Sequence, residues 1–287
     1  ALELTVYYFL SGVFGVLMLD RNRRVMAHMW AGLGAGVVGA VTILTFHLLD
    51  PFTNLNTLAI LTGSSILSGI GSGILALLFL FFSAPLLDKV TIIQLTELSR
   101  PDHPLLKFVL VNAPGTYQHS LQVANLSEQA AEQIGADAFL TRIGALYHDI
   151  GKALAPQYFI ENQIPGTGNP HENIDPYESS AIIIQHVTDG IELAHKHRLP
   201  KRIVDFIAEL HGTTATRFQY AKALQAQGND PAKVSLDDFR YPGPRPRSRE
   251  TALVMIADSC EARARAERPK TEAELRAIVK DVIDKRL

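Results

Sequence analysis

Residues 58–87, LAILTGSSILSGIGSGILALLFLFFSAPLL, contain no Asp, Glu, Lys or Arg. At about 1.5 Å of rise per residue, a helix of that length exceeds the ~30 Å hydrocarbon core of a bilayer. Upstream, residues 26–49 (MAHMWAGLGAGVVGAVTILTFHLL) are equally free of those charges. Residues 4–19 (LTVYYFLSGVFGVLML) form a third, shorter apolar run without the cationic start and small-residue cleavage site of a signal peptide. Three transmembrane helices are therefore expected, over about 4–19, 26–49 and 58–87, the first of them short of its opening turn. The only charged residues in the first 87 positions are Glu3, Asp20, Arg21, Arg23, Arg24 and Asp50. The remaining 200 positions carry a quarter of their residues charged, as a globular domain does.

Charge also orients the runs. The loop DRNRR (residues 20–24) holds three arginines, whereas DPFTNLN (residues 50–56) holds no Lys or Arg. The positive-inside rule places the first loop in the cytoplasm and the second outside. The third span then delivers everything beyond Asp88 into the cytoplasm, where the single Cys260 stays reduced and no intramolecular disulfide can form. Gly32/Gly36 and Gly69/Gly73 are GxxxG spacings that let helices approach closely. A net charge of −2, evenly dispersed, argues against a nucleic-acid polymer as partner.

Downstream of the spans, apolar residues recur every three or four positions with no long alternation, so the whole chain reads as all-α. Residues 88–100 (DKVTIIQLTELSR) read as a connecting helix ending before Pro101, and residues 101–287 as a helical domain. A helix begins at Pro114-Gly115-Thr116 and stops at Gly135. Others are expected near 138–150, 177–197, 201–211, 215–227, 248–266 and 271–287. Two loops rich in Pro, Gly and Asn, 155–176 and 228–247, are long enough to carry function.

The chemistry resides in histidines and aspartates set among apolar positions. His148 and Asp149 lie in LYHDIGK, His119 in GTYQHS, His186 in IIIQHVTDG, His211 in AELHGTT and Asp258 in ALVMIADSCEA. A carboxylate in such an apolar stretch needs a counter-charge or a metal. Nitrogen and oxygen donors without thiolates favour iron, manganese or zinc over a cysteine-type structural site. His103, His171, His195 and His197 read as surface or loop residues.

Those runs, together with FIENQ, NPHENIDP and FRYPGPRPRSRE, stand in order over residues 88–287. In this the chain resembles the HD superfamily of metal-dependent phosphohydrolases, and within it the seven-transmembrane HD-domain (PgpH-like) cyclic-di-AMP phosphodiesterases. The resemblance implies a fragment with the last three spans followed by a cytoplasmic HD domain. It implies two divalent ions, iron or manganese foremost, the first held by His119, His148, Asp149 and Asp258. Asp149 would bridge to a second ion held by His186 and His211. The family usually shows His-His-Gly-Thr where this sequence has Leu210-His211-Gly212-Thr213. That departure implies a weakly held second ion and keeps open an alternative, a catalytically impaired receptor for nucleotide or metal.

By the same resemblance the activity is hydrolysis of cyclic-di-AMP to pApA by a multi-pass membrane enzyme. Asp149 and Lys152 are its expected catalytic residues, Lys152 facing the phosphoryl charge. Thr213, Arg240 and Tyr241 are expected substrate contacts, with Arg245 and Arg247 nearby in the same loop. The implied partners are the cyclic dinucleotide and the lipid bilayer, with a homodimer left open.

Overall fold

The computed structural model describes residues 2–20, 26–48, 54–83, 90–164, 166 and 168–286. Two compact units divide the chain, Ala1–Gln94 and Leu95–Leu287. Every regular element among the described residues is helical, and the one β-bridge joins Ala215 to Arg240.

The first unit contains α1 (Leu2–Asp20), α2 (Met26–His47) and α3 (Leu55–Ser83), each long and apolar enough to cross a membrane. The helix α3 starts three residues before the expected run because Asn54 Oδ1 accepts the backbone N–H of Asn56 and the Asn54 carbonyl that of Leu58. Its expected end at 84–87, with Pro85, and most of the DRNRR and DPFTNLN loops lie outside the described residues. The glycine spacings are used as close contacts. A Cβ on Gly32 would lie 2.9 Å from Gly73 Cα, and one on Gly69 would lie 2.6 Å from Gly36 Cα. With the backbones that near, Ser65 Oγ donates to the Gly36 carbonyl (2.9 Å) and meets Tyr7 OH (3.1 Å), so a polar side chain is satisfied among apolar ones.

The helix α4 (Ile92–Leu98) occupies the middle of the expected connector; Asp88 and Lys89 are outside the described residues. Next comes a helix that the sequence reading passed over, α5 (Pro104–Asn112). Its signals were present: Pro104 in the first turn and His103 as N-cap, accepting the Leu105 N–H. The long α6 (Pro114–Ile134) stops at Gly135, whose φ of 66° suits a residue without Cβ. Asp137 caps α7 (Ala138–Tyr147), Asp175 caps α8 (Pro176–Lys196), and α9 spans Lys201–Glu209. After α10 (Arg217–Ala226), a Ser248/Thr251 capping box opens α11 (Arg249–Glu267), followed by α12 (Glu272–Arg286).

Helix α6 packs along α7, α11 lies against both, and α8 packs on α9 and on a 3-10 turn, Ile150–Leu154. Their apolar faces supply the fully buried Val123, Ile143, Ile150, Ile203, Phe206 and Leu210. Gly144 lets the Phe206 ring lie directly on α7. Such burial removes roughly 1.5–3 kcal/mol of exposure penalty per large side chain. It fixes α6, α7, α8, α9 and α11 around one polar centre.

Candidate metal centre

The expected helix 138–150 ends early. Helix α7 closes at Tyr147, with His148 as its C-cap and Asp149 (φ −114°, ψ 18°) in the turn before the 3-10 segment. This bend turns both side chains into the bundle, where each is 1% exposed. Gly151 makes the turn fit against α8, since a Cβ there would overlap the His186 carbonyl.

Six of the expected residues converge. One potential ligand atom each from His119, His148, Asp149 and Asp258 lies within 4.8 Å of the others, and so do those from Asp149, His186 and His211. Asp149 belongs to both groups. Its Oδ2 is 3.1 Å from His148 Nε2 and 3.8 Å from His119 Nε2, while its Oδ1 is 3.4 Å from His186 Nε2. His119 Nε2 lies 3.0 Å from Asp258 Oδ1, and His186 Nε2 lies 3.1 Å from His211 Nε2.

The rings are aimed by their other nitrogens. His148 Nδ1 donates to the Ala145 carbonyl (2.6 Å), and His186 Nδ1 donates to that of Ile183. Each bond selects the tautomer that leaves an Nε2 lone pair facing the cluster. His148 Nε2 and both Asp149 oxygens are buried yet make no aligned hydrogen bond, although Lys152 Nζ comes within 2.5 Å of Asp149 Oδ2. Asp149 Oδ2 has that ammonium as counter-charge, but a buried acceptor without a donor is costly, and convergent lone pairs on nitrogen and oxygen are what a divalent cation satisfies. The donor set therefore fits metal.

Without a cation, the side chains set one another's charge. Burial opposes charge on His119, but Asp258 and Glu261 outweigh it and push the imidazole up to about 9. Burial, aided by His186, pushes His211 down to about 3, so it stays a neutral donor. Asp149 is held well below the usual carboxylate range; burial works against this, and His148 and Lys152 prevail. Burial likewise resists ionisation of Asp258, which His119 still holds down. Lys152 is raised despite its burial by Asp149 and Glu161, and so remains an ammonium.

The remaining expected contacts lie at the rim. Tyr241 stacks on His211, centroids 4.2 Å apart and planes at 22°, and its backbone N–H donates to the Thr214 carbonyl. Arg240 donates to Asp237 Oδ1 (2.7 Å) and to the Thr213 carbonyl (2.9 Å) rather than reaching the cluster. Arg245 Nε donates to Thr213 Oγ1 (3.3 Å), and the Arg247 N–H to Glu209. Leu210 is 1% exposed and joins Ile203, Phe206 and Ile207 in the core. His171, read as a surface or loop residue, does lie in the 155–176 segment, at a short 3-10 turn, Pro170–Glu172, but not at the surface. It is buried, with Nε2 donating to the Tyr158 carbonyl and Nδ1 accepting from Ser179 Oγ.

Three contributors were missed from sequence. Glu161 pairs with Lys152 Nζ (3.0 Å), Phe159 sets its ring edge-on to His186 (5.6 Å), and Glu261 meets His119 Nδ1 (2.6 Å). Glu261 falls one turn after Asp258 on α11, a spacing that was visible but had no partner assigned to it.

The HD domain profile matches residues 116–263, just over half of the chain. The chain belongs to the HD-domain family. Its HD domain is 43% identical to the crystal structure of the Listeria monocytogenes phosphodiesterase PgpH HD domain in complex with cyclic-di-AMP. That match has a TM-score of 0.60 and covers 64% of this chain and 83% of the solved one. The cyclic-di-AMP phosphodiesterase PgpH of Bacillus subtilis is 38% identical over 98% of this chain, and that of Listeria monocytogenes 38% identical over 99%. The chain spans 39% of the length of each of these two curated relatives. HD-domain membership and the convergent cluster together make divalent metal the expected resident of this site.

Proposed function

We propose that the chain is the membrane-anchored, metal-dependent catalytic part of a phosphodiesterase that hydrolyses cyclic-di-AMP to pApA. One observation carries the reading: Asp149 is shared between two groups of convergent histidine nitrogens inside an HD domain. The cyclic-di-AMP substrate is supported by the names of the relatives.

His119, His148, Asp149 and Asp258 would hold one ion, and Asp149, His186 and His211 the other, with iron or manganese as the best match to the donors. Bound there, two divalent ions supply Lewis acidity, which polarises water and neutralises phosphate charge. The chain's own residues do the rest. Lys152 keeps an ammonium beside Asp149, placed to meet charge developing on phosphoryl oxygens. Glu161 holds that ammonium from its other side. Phe159 and Tyr241, 7% and 9% exposed, pack their rings against buried His186, so electrostatic effects are stronger there than in solvent. Thr213 and Arg240 sit on the rim, where a second nucleotide unit would be met.

The three apolar helices would anchor the chain as a multi-pass membrane protein with the HD domain in the cytoplasm, as the arginines of residues 20–24 favour. The detergent-solubilised chain, loaded anaerobically with Fe(II) or with Mn(II), is expected to convert cyclic-di-AMP to pApA. Asp149→Ala should abolish turnover. A fully loaded chain that yields no pApA would sink the reading. Should activity then appear in Leu210→His, the impaired-receptor alternative would stand instead.

A further inference from the structure

His119 differs from its neighbours in the way its ring is aimed. His148 and His186 donate Nδ1–H to backbone carbonyls, which are neutral. His119 Nδ1 instead meets a carboxylate, Glu261 Oε2, at 2.6 Å, and both groups are nearly enclosed, at 3% and 9% exposure. The same helix, α11, presents Asp258 to the opposite nitrogen at 3.0 Å. One face of α11 thus grips both edges of the ring across 142 positions of sequence. A charged acceptor gives a shorter and roughly twice stronger hydrogen bond than a neutral one. It also passes electron density through the ring to the far nitrogen, raising its basicity as a ligand.

We propose that Glu261 is a positioning residue for the first ion: it fixes His119 as the Nδ1–H tautomer and strengthens Nε2 as a donor. This rests on the reading of His119 as a ligand of that ion. The consequence is an asymmetric centre. The group containing His119 binds more tightly than the group of His186 and His211, in which the Nδ1 of His186 is anchored by a neutral backbone carbonyl. Arg265 Nη2 stands 3.7 Å from Glu261 Oε2, on the exposed side of the helix. A purely structural account would give Glu261 the task of pairing with that arginine, and the two accounts separate experimentally.

Mn(II) affinities of the tight and weak sites are measured on the detergent-solubilised chain, with no nucleotide present. Glu261→Leu should weaken the tight site by about 10- to 100-fold and leave the weak site unchanged. Glu261→Gln, which keeps the shape and a neutral acceptor but loses the charge, should weaken the tight site by a smaller factor than Glu261→Leu. Arg265→Ala should leave both sites as they are. Unchanged tight-site affinity in Glu261→Leu, or an equal loss in Arg265→Ala, overturns the proposal. Where Glu261→Leu does not fold, Glu261→Gln decides: any tight-site weakening with an intact weak site supports the clamp, and none overturns it. His119→Ala separates the two layers. If it too leaves the tight site intact, the ligand reading fails; if it alone weakens that site, only the clamp does.

Discussion

Gly151 shows how much of a metal centre can depend on a residue with no functional group. A Cβ there would meet the His186 carbonyl and would come within 2.6 Å of Gly190 N, so the conflict is backbone against backbone. No side-chain rotation relieves such a contact. Gly151→Ala must push α8 away from the turn that carries His148 and Asp149. The expected cost is roughly 1–3 kcal/mol of stability, the range for overpacking, with loss of Mn(II) binding at the group that joins Asp149 to His186. Gly168, which has nothing within 4 Å of a built Cβ, serves as the control. Equal midpoints and equal metal content in Gly151→Ala and Gly168→Ala would refute the argument. The sequence showed an HDIGK run, but nothing local told that its glycine faces a carbonyl thirty-five positions away.

At the scale of elements, the apolar helices were the most legible part of the chain, because a long run without charge is a one-dimensional property. Their pairing was legible in outline from GxxxG spacing, and the structure supplies the contact. Gly69 faces Gly32 and Gly36, whereas Gly71, two residues on, has open space around it. Gly69→Ala should therefore separate α2 from α3 and lower the apparent melting midpoint in detergent, by a change on the order of 1–3 kcal/mol. Gly71→Ala should be neutral, and matching midpoints for the two variants would contradict the contact. Shorter elements were read less well. Helix α5 went unread because its run LLKFVLV is apolar on nearly every position, leaving no polar face to show the period. Helix α7 was read three residues too long, since residues 148–150 carry no Gly or Pro to mark the stop; the bend there comes from the packing of Gly151 on α8.

For the molecule as a whole, folding, protonation and metal uptake are linked through His119. Its imidazole titrates near 6.5 in an unfolded chain and near 9 in the cluster without a cation, where burial is outweighed by Asp258 and Glu261. A raised value means that protonation stabilises the cation-free fold. That contribution is complete below pH 6.5 and is lost as pH rises through about 9. A cation needs the same nitrogen deprotonated, so its affinity gains over the same window. The chelator-treated chain should lose thermal stability between pH 6.5 and 9, and the gap to the Mn(II)-loaded chain should widen. At a free ion concentration of a hundred times the dissociation constant the stabilisation is about 2.7 kcal/mol. Melting curves that stay parallel across this window would refute the linkage. The sequence alone determined three long apolar helices, a polar helical domain after them, and the residue types of the site, because composition and spacing are local. Only the tertiary structure decided that Asp149 turns one oxygen to each group, that backbone carbonyls choose the tautomers of His148 and His186, and that Glu261 reaches His119. Those are contacts between positions far apart in the chain, set by how five helices pack, and no local pattern encodes them.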